Sequence, residues 1–302
     1  MEFFHQPVLL NEVLELLLQM NDGIFVDGTL GGGGHSFAVA DKLKFQNSKF
    51  KIIGIDQDLE AIFAAKKNLK KYADQIEFVH DNFSNLPAIL KSKGVGKVNM
   101  ILLDLGVSSF QFDDPRRGFS FQKEAPLDMR MNQSNKEAAI DIVNNYSEKD
   151  LADIFYEYGG ERNSRRIAKN ILEARKSKTI KTTTELTKIV EQSFPSNYQR
   201  KFKIHSATRV FQALRIETNN ELNILEEFIP IAAKFLNSGG RLIIISFHSL
   251  EDRIVKQTFR YLANNNPDKF KILTKKPLTA SSDEVAKNPR SRSAKMRILE
   301  NI

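Results

Sequence analysis

Short apolar segments alternate with amphipathic segments over the first third of the chain. Four apolar segments end in polar turn residues, as strands do: "GIFVDG", "KFKIIGID", "QIEFVHDN" and "KVNMILLDLG". The segments between them, such as "DLEAIFAAKKNLKKY", place apolar residues at helical spacing. Because strands that alternate with helices form βαβ units, this pattern predicts an α/β domain with a parallel sheet.

The alternation stops after Asp104. The next segment typical of a buried strand, "GRLIIISF", begins only near Arg241, and polar segments with helical periodicity fill the interval, among them "SEKDLADIFYEYG" and "ERNSRRIAKNILEARK". A crossover between parallel strands needs far fewer residues than this interval holds. The pattern therefore predicts an all-helical insertion over residues 113–209, which interrupts an α/β domain made of residues 1–112 and 210–302.

The chain then returns to the sheet. "NELNILEEFIPIAAKFLNSGG" is predicted to be a helix that ends at Gly239 and Gly240, directly before the strand near Arg241. "FKILTK" and "AKMRILE" are predicted to be the last strands.

Three predicted strands end at or next to a carboxylate, namely Asp27, Asp56 and Asp104. Ligands of open α/β sheets bind at the carboxyl ends of the strands, so these acids lie where a site is expected. The glycine-rich stretch "VDGTLGGGGHS" follows the first strand and brings backbone N–H groups close to such a ligand.

Two ligands commonly bind a glycine-rich turn of this kind, a dinucleotide and S-adenosylmethionine. The dinucleotide fingerprint places its first glycine directly after the strand, whereas here Asp27 precedes the glycines. A carboxylate repels a pyrophosphate and suits the cationic amino-acid end of S-adenosylmethionine, which is therefore favoured. Asp56 is placed to accept hydrogen bonds from the ribose of either ligand. In "FVHDNF", Asp81 and Phe83 have two interpretations, as contacts of an adenine ring or as a turn acid and a core phenylalanine.

Composition and charge narrow the function classes. The chain has 302 residues and no cysteine, which excludes disulfides and thiolate chemistry, and no metal site is predicted because its histidines are scattered. Its apolar runs are too short to span a bilayer and no secretory signal is visible, so we expect a cytoplasmic protein. Residues 161–215 hold 14 Lys and Arg against 4 Asp and Glu, and residues 287–297 hold 5 against none. This surplus indicates a polyanionic partner, or else a solvated basic helix face.

Several blocks spread over nearly the whole chain carry a resemblance to a known family. They include "HQPVLLNEVLELL", "DGTLGGGGHS", "LLDLGVSSFQFDDPRRGFSF", "PLDMRM", "HSATRVFQALRIETNNEL" and "GGRLIIISFHSLEDRIVK". Together they resemble the ribosomal RNA small subunit methyltransferase H family. The resemblance implies methylation of N4 of a cytidine in the decoding region of 16S rRNA, within the small ribosomal subunit.

The resemblance also implies a Rossmann-like, S-adenosylmethionine-dependent methyltransferase core with an inserted all-helical domain that recognises substrate. The cofactor-binding positions that it implies are Gly33, Gly34, His35, Asp56, Phe83, Asp104 and Gln111. The oligomeric state stays open between a monomer and a homodimer.

For the transfer itself, we expect Asp104 to accept hydrogen bonds from the amine or the cofactor, and Ser108 and Ser109 to orient the base. His248, in "SFHSLEDR", has two interpretations, as the acceptor of the released proton or as a packing or RNA-positioning residue. Candidate phosphate contacts are Arg116, Arg117, Arg162, Arg165, Arg166, Arg209, Arg292 and Arg297. Two other functions stay open: a ribosome-assembly factor that binds RNA without catalysis, and an NAD-dependent oxidoreductase.

Overall fold

The computed structural model describes residues 7–17, 22–45, 50–195 and 205–302. The chain divides into two compact units, a core unit of Met1–Ser108 and Leu222–Ile302 and a helical unit of Ser109–Glu221. The sequence predicts that the helical insertion covers residues 113–209. The second limit falls inside a helix, Ser206–Asn219, and the structure places the boundary beyond it.

The core unit contains one seven-stranded sheet with helices between its strands. The strands are β1 (Ile24–Asp27), β2 (Lys51–Asp56), β3 (Ile76–His80), β4 (Val98–Asp104), β5 (Leu236–Ser246), β6 (Phe270–Ile272) and β7 (Lys295–Asn301). Their order is β3-β2-β1-β4-β5-β7-β6, and β1 to β5 run parallel while β7 is antiparallel to both of its neighbours. The arrangement is a Rossmann-like α/β fold, as the sequence predicts.

Alternate residues of each strand enter the two apolar layers of the core unit. Phe25, Ile52 and Met100 pack on one face of the sheet, and their chain neighbours Val26, Ile53 and Ile101 pack on the other. A sheet buried on both faces needs such continuous apolar runs, which explains the strand segments of the sequence.

The helices of the core unit cover both faces of the sheet. The first face packs against α1 (Leu10–Leu17), α2 (Gly34–Phe45) and α3 (Leu59–Asn68), and the second against α4 (Leu86–Ser92) and two helices from the end of the chain. Those two are Glu221–Lys234 and Ser249–Asn265, and a last short helix covers Ser282–Lys287.

In the described part of the helical unit, the α-helices are α5 (Ser109–Asp113), α6 (Ala139–Asn145), α7 (Glu148–Glu157), α8 (Ser164–Ser177), α9 (Thr183–Gln192) and α10 (Ser206–Asn219). Hence Glu221–Lys234 is α11, Ser249–Asn265 is α12 and Ser282–Lys287 is α13. Ser147 and Thr182 accept hydrogen bonds from the third helical residue of α7 and α9, which explains where these helices begin. No helix in the described ranges is long and apolar enough to cross a membrane.

The predicted end of α11 at Gly239 and Gly240 is wrong. The helix ends at Lys234, and both glycines belong to β5. They lie where the pairing of β4 with β5 shifts register, between Val98↔Leu236 and Met100↔Arg241. A Cβ at Gly240 would lie 2.8 Å from the carbonyl oxygen of Asn237, so the glycine permits a bulge rather than a helix end.

Candidate active site

The carboxyl ends of the parallel strands bring three predicted site residues to one edge of the sheet. Asp27 is the last residue of β1, Asp56 the last of β2 and Asp104 the last of β4, and β1 pairs with both other strands. The glycine loop of residues 28–33 leaves β1 at this edge and leads into α2.

Backbone hydrogen bonds hold this loop against the neighbouring strands. Gly28 N donates to Leu102 O at 2.9 Å, and Leu30 N donates to Ile55 O at 2.9 Å. Gly33 N donates to Leu30 O at 2.8 Å, so this amide closes a turn within the loop. The loop is therefore a defined element that joins the ends of β1, β2 and β4, and Gly34 begins α2 directly after it.

Asp27 is buried under the start of α2. Its Oδ2 accepts a hydrogen bond from Ser36 Oγ at 2.7 Å, while its Oδ1 has no hydrogen-bond partner in the described part of the chain. Burial raises the pKa of Asp27 to about 6, against the lowering effect of the Ser36 hydrogen bond. Ser36 was not among the predicted site residues, although its place in the first turn after the glycines is the signal that marks it.

Asp56 holds the glycine loop through its side chain. Its Oδ2 accepts from Gly31 N at 2.7 Å, and its Oδ1 accepts from Asp58 N at 2.9 Å. Burial raises the pKa of Asp56 to about 6, opposed by these two backbone hydrogen bonds. The carboxylate thus lies beside the loop, where the sequence places a partner for ribose hydroxyls.

Asp104 contacts two residues of the glycine-rich stretch "VDGTLGGGGHS". Its backbone N donates to Thr29 Oγ1 at 2.6 Å, and its Oδ2 lies 3.8 Å from His35 Nδ1. His35 Nε2 lies 3.0 Å from Val8 O, and a hydrogen on that nitrogen orients the ring. Burial raises the pKa of Asp104 well above its usual range, and the charges of Asp27 and Glu251 raise it further.

Among the described residues, no lysine or arginine offsets the charge of the three carboxylates. Within the described ranges, no Lys or Arg forms an ion pair with Asp27, Asp56 or Asp104, and Oδ1 of Asp104 is also buried without a hydrogen-bond partner. Buried charges are unfavourable unless they are paired. This edge of the sheet is thus complementary to a ligand that carries positive charge, and it disfavours a pyrophosphate.

Phe83 and Asp81 follow β3 at the same edge. Phe83 is half-buried, lies against Gly28 and packs edge-on against Phe228, with ring centroids 4.8 Å apart. Asp81 Oδ1 accepts from Asn82 N and Asn85 Nδ2, each at 2.7 Å. The turn-acid interpretation therefore describes the Asp81 hydrogen bonds, while Phe83 combines core packing with a partly exposed position beside the loop.

The remaining predicted residues are divided between the two units. Ser108 is half-buried, and its Cβ lies 3.8 Å from the point that a Cβ on Gly31 would occupy. Ser109 and Gln111 belong to α5 of the helical unit, where Gln111 is buried. The core unit thus gathers Gly33, Gly34, His35, Asp56, Phe83, Asp104 and Ser108 at or beside the glycine loop.

His248 is the N-cap residue of α12 and forms a capping box with Glu251. His248 Nδ1 accepts from Glu251 N at 3.4 Å, and Glu251 Oε2 accepts from Phe247 N at 2.8 Å and from His248 N at 3.1 Å. His248 Nε2 lies 3.1 Å from Glu251 Oε1. This arrangement gives the histidine a helix-capping role, and the proton-accepting role stays a prediction.

The candidate phosphate contacts fall into two groups. Arg117 is buried and donates to Arg130 O and Met131 O, and Arg297 is buried with its Nε 2.6 Å from Asp252 Oδ1. Arg116 is exposed but pairs with Asp114, and Arg209 lies 3.6 Å from Glu161. Among these candidates, the exposed arginines that form no ion pair within the described chain are Arg162, Arg165, Arg166 and Arg292.

The sheet order, the glycine loop after β1 and the acidic edge define a Rossmann-like α/β core whose candidate site suits a cationic nucleoside ligand. The chain belongs to the MraW methylase family, whose model matches residues 2–302. The family predicted from the sequence is thereby confirmed.

Curated relatives agree with this family. The chain is 50% identical to the ribosomal RNA small subunit methyltransferase H of Halothermothrix orenii, over 99% of this chain and 98% of the relative. It is 45% identical to the protein of the same name from Clostridioides difficile and 47% identical to that of Clostridium botulinum, each over the full length of both chains.

Proposed function

We propose that this protein transfers a methyl group from S-adenosylmethionine to N4 of a cytidine in the decoding region of 16S rRNA. The family and the names of its relatives support a methylase of small-subunit rRNA. The observation that carries the choice of methyl donor is the set of three carboxylates at the ends of β1, β2 and β4, which form no ion pair with a Lys or Arg of the described residues.

The residues at this edge fit S-adenosylmethionine. The buried, unpartnered oxygens of Asp27 and Asp104 suit its ammonium and sulfonium charges, and Asp56 is placed beside the loop for the ribose hydroxyls. Phe83 offers an apolar surface next to Gly28 for the adenine ring. When bound, S-adenosylmethionine supplies a methyl group on a positively charged sulfur, which is a reactive electrophile.

The acceptor amine needs help from the protein. The lone pair of the cytosine amine is delocalised into the ring, so its N–H groups must be held while nitrogen points at the methyl carbon. We assign that task to Asp104, with the Ser108 hydroxyl beside Gly31 and with Ser109 as further orienting groups. In the transfer, an N–C bond forms and the C–S bond breaks, after which the amine loses one proton to water or, in the second interpretation, to His248.

To methylate the cytidine, the enzyme needs access to a base that is normally stacked in the RNA. Enzymes that modify a base remove it from its stack and hold the neighbouring backbone. Arg162, Arg165 and Arg166 are exposed at the start of α8 and form no ion pair with any described residue, which suits phosphate contacts. We therefore assign substrate recognition to the helical unit. Because the proposed substrate is the small ribosomal subunit, we also propose that the protein acts in the cytoplasm.

Analysis of 16S rRNA from a strain that lacks the gene tests this function. Nucleoside mass spectrometry is expected to show loss of N4-methylcytidine, which returns when the wild-type gene is supplied. A gene with Asp104→Asn is expected not to restore it. Unchanged N4-methylcytidine in the deletion strain would contradict the assignment, and restoration by Asp104→Asn would favour an assembly factor without catalysis.

A further inference from the structure

A basic pocket lies at the outer edge of the core unit, away from the acidic site. It has a volume of about 510 Å³ and lies between α12, the edge strand β6 and the segment after β6. Its size is within the range of ligand sites, roughly 300–1,000 Å³. The basic residues that line it are Lys256, Arg260, Lys271, Lys275 and Arg297, and no acidic residue lines it.

Four of these cations are uncompensated. Arg297 is held by Asp252, with Nε 2.6 Å from Oδ1. By contrast, the side chains of Lys256, Arg260, Lys271 and Lys275 form neither an ion pair nor a hydrogen bond with any described residue. Like charges close together are unfavourable without counter-charges, so the pocket attracts anions.

The composition of the pocket points to a nucleotide rather than to a simple anion. The lining also contains apolar residues: Ile272 and Ile302 are partly or fully exposed, while Phe259 and Phe270 are buried behind them in the core. Apolar surface next to cations accommodates the sugar and base of a nucleotide whose phosphate contacts Lys and Arg.

Protection of the sheet edge explains only part of the charge. Lys on an edge strand prevents pairing with other chains, which accounts for Lys271 on β6. It does not account for Lys256 and Arg260, which are four residues apart on one face of α12 and line the same pocket.

The position of the pocket favours a polymer. α12 begins at the carboxyl end of β5, and Lys256 lies eight residues beyond its cap, His248, which corresponds to about 12 Å along the helix axis. The neighbouring β6 residues pair with Leu299–Asn301 of β7, of which Leu299 and Glu300 pair in turn with Leu242 and Arg241 of β5. A ligand that reaches both this pocket and the acidic edge must therefore be extended, as RNA is.

We propose that this pocket binds a phosphate-bearing nucleotide of the rRNA at a distance from the target cytidine, with Lys256, Arg260, Lys271 and Lys275 contacting the phosphate backbone. The proposal rests on the proposed function, because that function supplies the RNA. Lys256 and Arg260 lie in α12, whereas Lys271 and Lys275 belong to the lysine-rich stretch "KFKILTKK", so a charge count along the sequence does not join the four residues into one site.

Neutralisation of the pocket tests this inference. The variant combines Lys256→Gln, Arg260→Gln, Lys271→Gln and Lys275→Gln, and a matched control neutralises four exposed lysines elsewhere on the core unit: Lys67, Lys70, Lys91 and Lys97. Binding of a fluorescent single-stranded RNA is measured by anisotropy at several salt concentrations, with an adenosine monophosphate titration alongside. Thermal unfolding and S-adenosylmethionine calorimetry check that both variants are folded.

The pocket variant is expected to bind RNA at least about tenfold more weakly than the control variant, and its log–log salt slope is expected to fall by about 3 because each contact with a single strand contributes about 0.7. Its affinity for S-adenosylmethionine is expected to stay within about twofold. Equal RNA affinity in the pocket variant and the control would overturn the inference, as would a pocket effect on adenosine monophosphate without one on RNA. If wild-type protein binds no RNA at all, the proposed function fails instead.

Discussion

At the residue scale, burial rather than residue type gives the acidic edge its properties. The same residue type behaves differently elsewhere in the chain. The pKa values of Asp114 and Asp128 are lowered because Arg116 and Arg130 lie beside them. The acidic edge consists of Asp27, Asp56 and Asp104. These three residues have raised pKa values because burial disfavours their charge and no arginine compensates for it. Such perturbed groups are typical of functional sites.

Asp104→Asn is expected to lower the rate of methyl transfer by about two to three orders of magnitude, the effect of removing one preorganised electrostatic group. The amide keeps the shape of the side chain but replaces one acceptor oxygen by an NH2 donor and carries no charge to offset positive charge. Transfer is measured with labelled methyl groups at saturating substrate, and circular dichroism confirms the fold. Asp153→Asn, an exposed change in the helical unit, serves as the control. Full activity of the Asp104 variant would refute its assigned role.

Asp27→Asn is expected to stabilise the protein without ligand while weakening S-adenosylmethionine binding. A raised carboxyl pKa means that the folded state holds the proton more tightly, so stability falls as pH rises from about 4 to about 6. A pKa of about 6 instead of 3.8 corresponds to about 3 kcal/mol lost above pH 6. Urea unfolding should therefore show a gain of up to about 3 kcal/mol at pH 7.5 and a smaller gain at pH 5. Destabilisation at pH 7.5 would mean that the ionised carboxylate is structural.

At the element scale, the sequence predicts the strands and most helices because burial on both sheet faces imposes apolar runs and because caps mark helix starts. It misplaces the end of α11, since glycines typical of a helix end also permit a bulge, and pairing with β4 decides between the two. It names Asp27, Asp56 and Asp104, since strand ends are visible in the sequence. The position of Ser36 after the glycines is visible in the sequence, but its hydrogen bond to Asp27, like that of Asp104 N to Thr29 Oγ1, depends on a side-chain direction that the pattern does not contain.

The glycine loop contains a matched pair of positions for a test. A Cβ at Gly33 would lie 2.6 Å from Leu69 Cδ1, at a φ of +80°, whereas Gly31 has a φ of +52° and no atom closer than 3.8 Å. Gly33→Ala is expected to destabilise the fold by about 2–4 kcal/mol, from the backbone cost plus overpacking, and Gly31→Ala by about 1–2 kcal/mol. Urea unfolding measures both changes. Equal losses would show that the contact between the loop and α3 does not determine the requirement for glycine.

At the scale of the whole molecule, negative and positive charges lie in different regions that suit different ligands. The acidic edge of the core unit suits a small cationic ligand, while exposed cations of the helical unit and of the basic pocket suit a polyanion. The charge surplus in the sequence predicts the polyanionic partner but does not identify its contacts. Arg117 and Arg297, for example, belong to internal hydrogen-bond and ion-pair networks.

Simultaneous replacement of Arg162, Arg165 and Arg166 by Gln is expected to raise KM for small ribosomal subunits by at least about tenfold and to reduce its salt dependence, because phosphate contacts are lost. The Kd for S-adenosylmethionine should not change, since the three arginines are not among the residues assigned to the cofactor. The corresponding triple change of Lys67, Lys70 and Lys91 controls for net charge. An unchanged KM in the arginine variant would show that these three arginines do not recognise the substrate.

The central claim is the transfer of a methyl group to the cytosine amine, and a reconstituted reaction tests it most directly. Purified protein is incubated with methyl-deuterated S-adenosylmethionine and small ribosomal subunits from a strain that lacks the gene, and the 16S rRNA is digested to nucleosides for mass spectrometry. The account predicts deuterated N4-methylcytidine with the wild-type protein and almost none with Asp104→Asn. Deuterium on another position of cytidine, on another nucleoside or on none would contradict it.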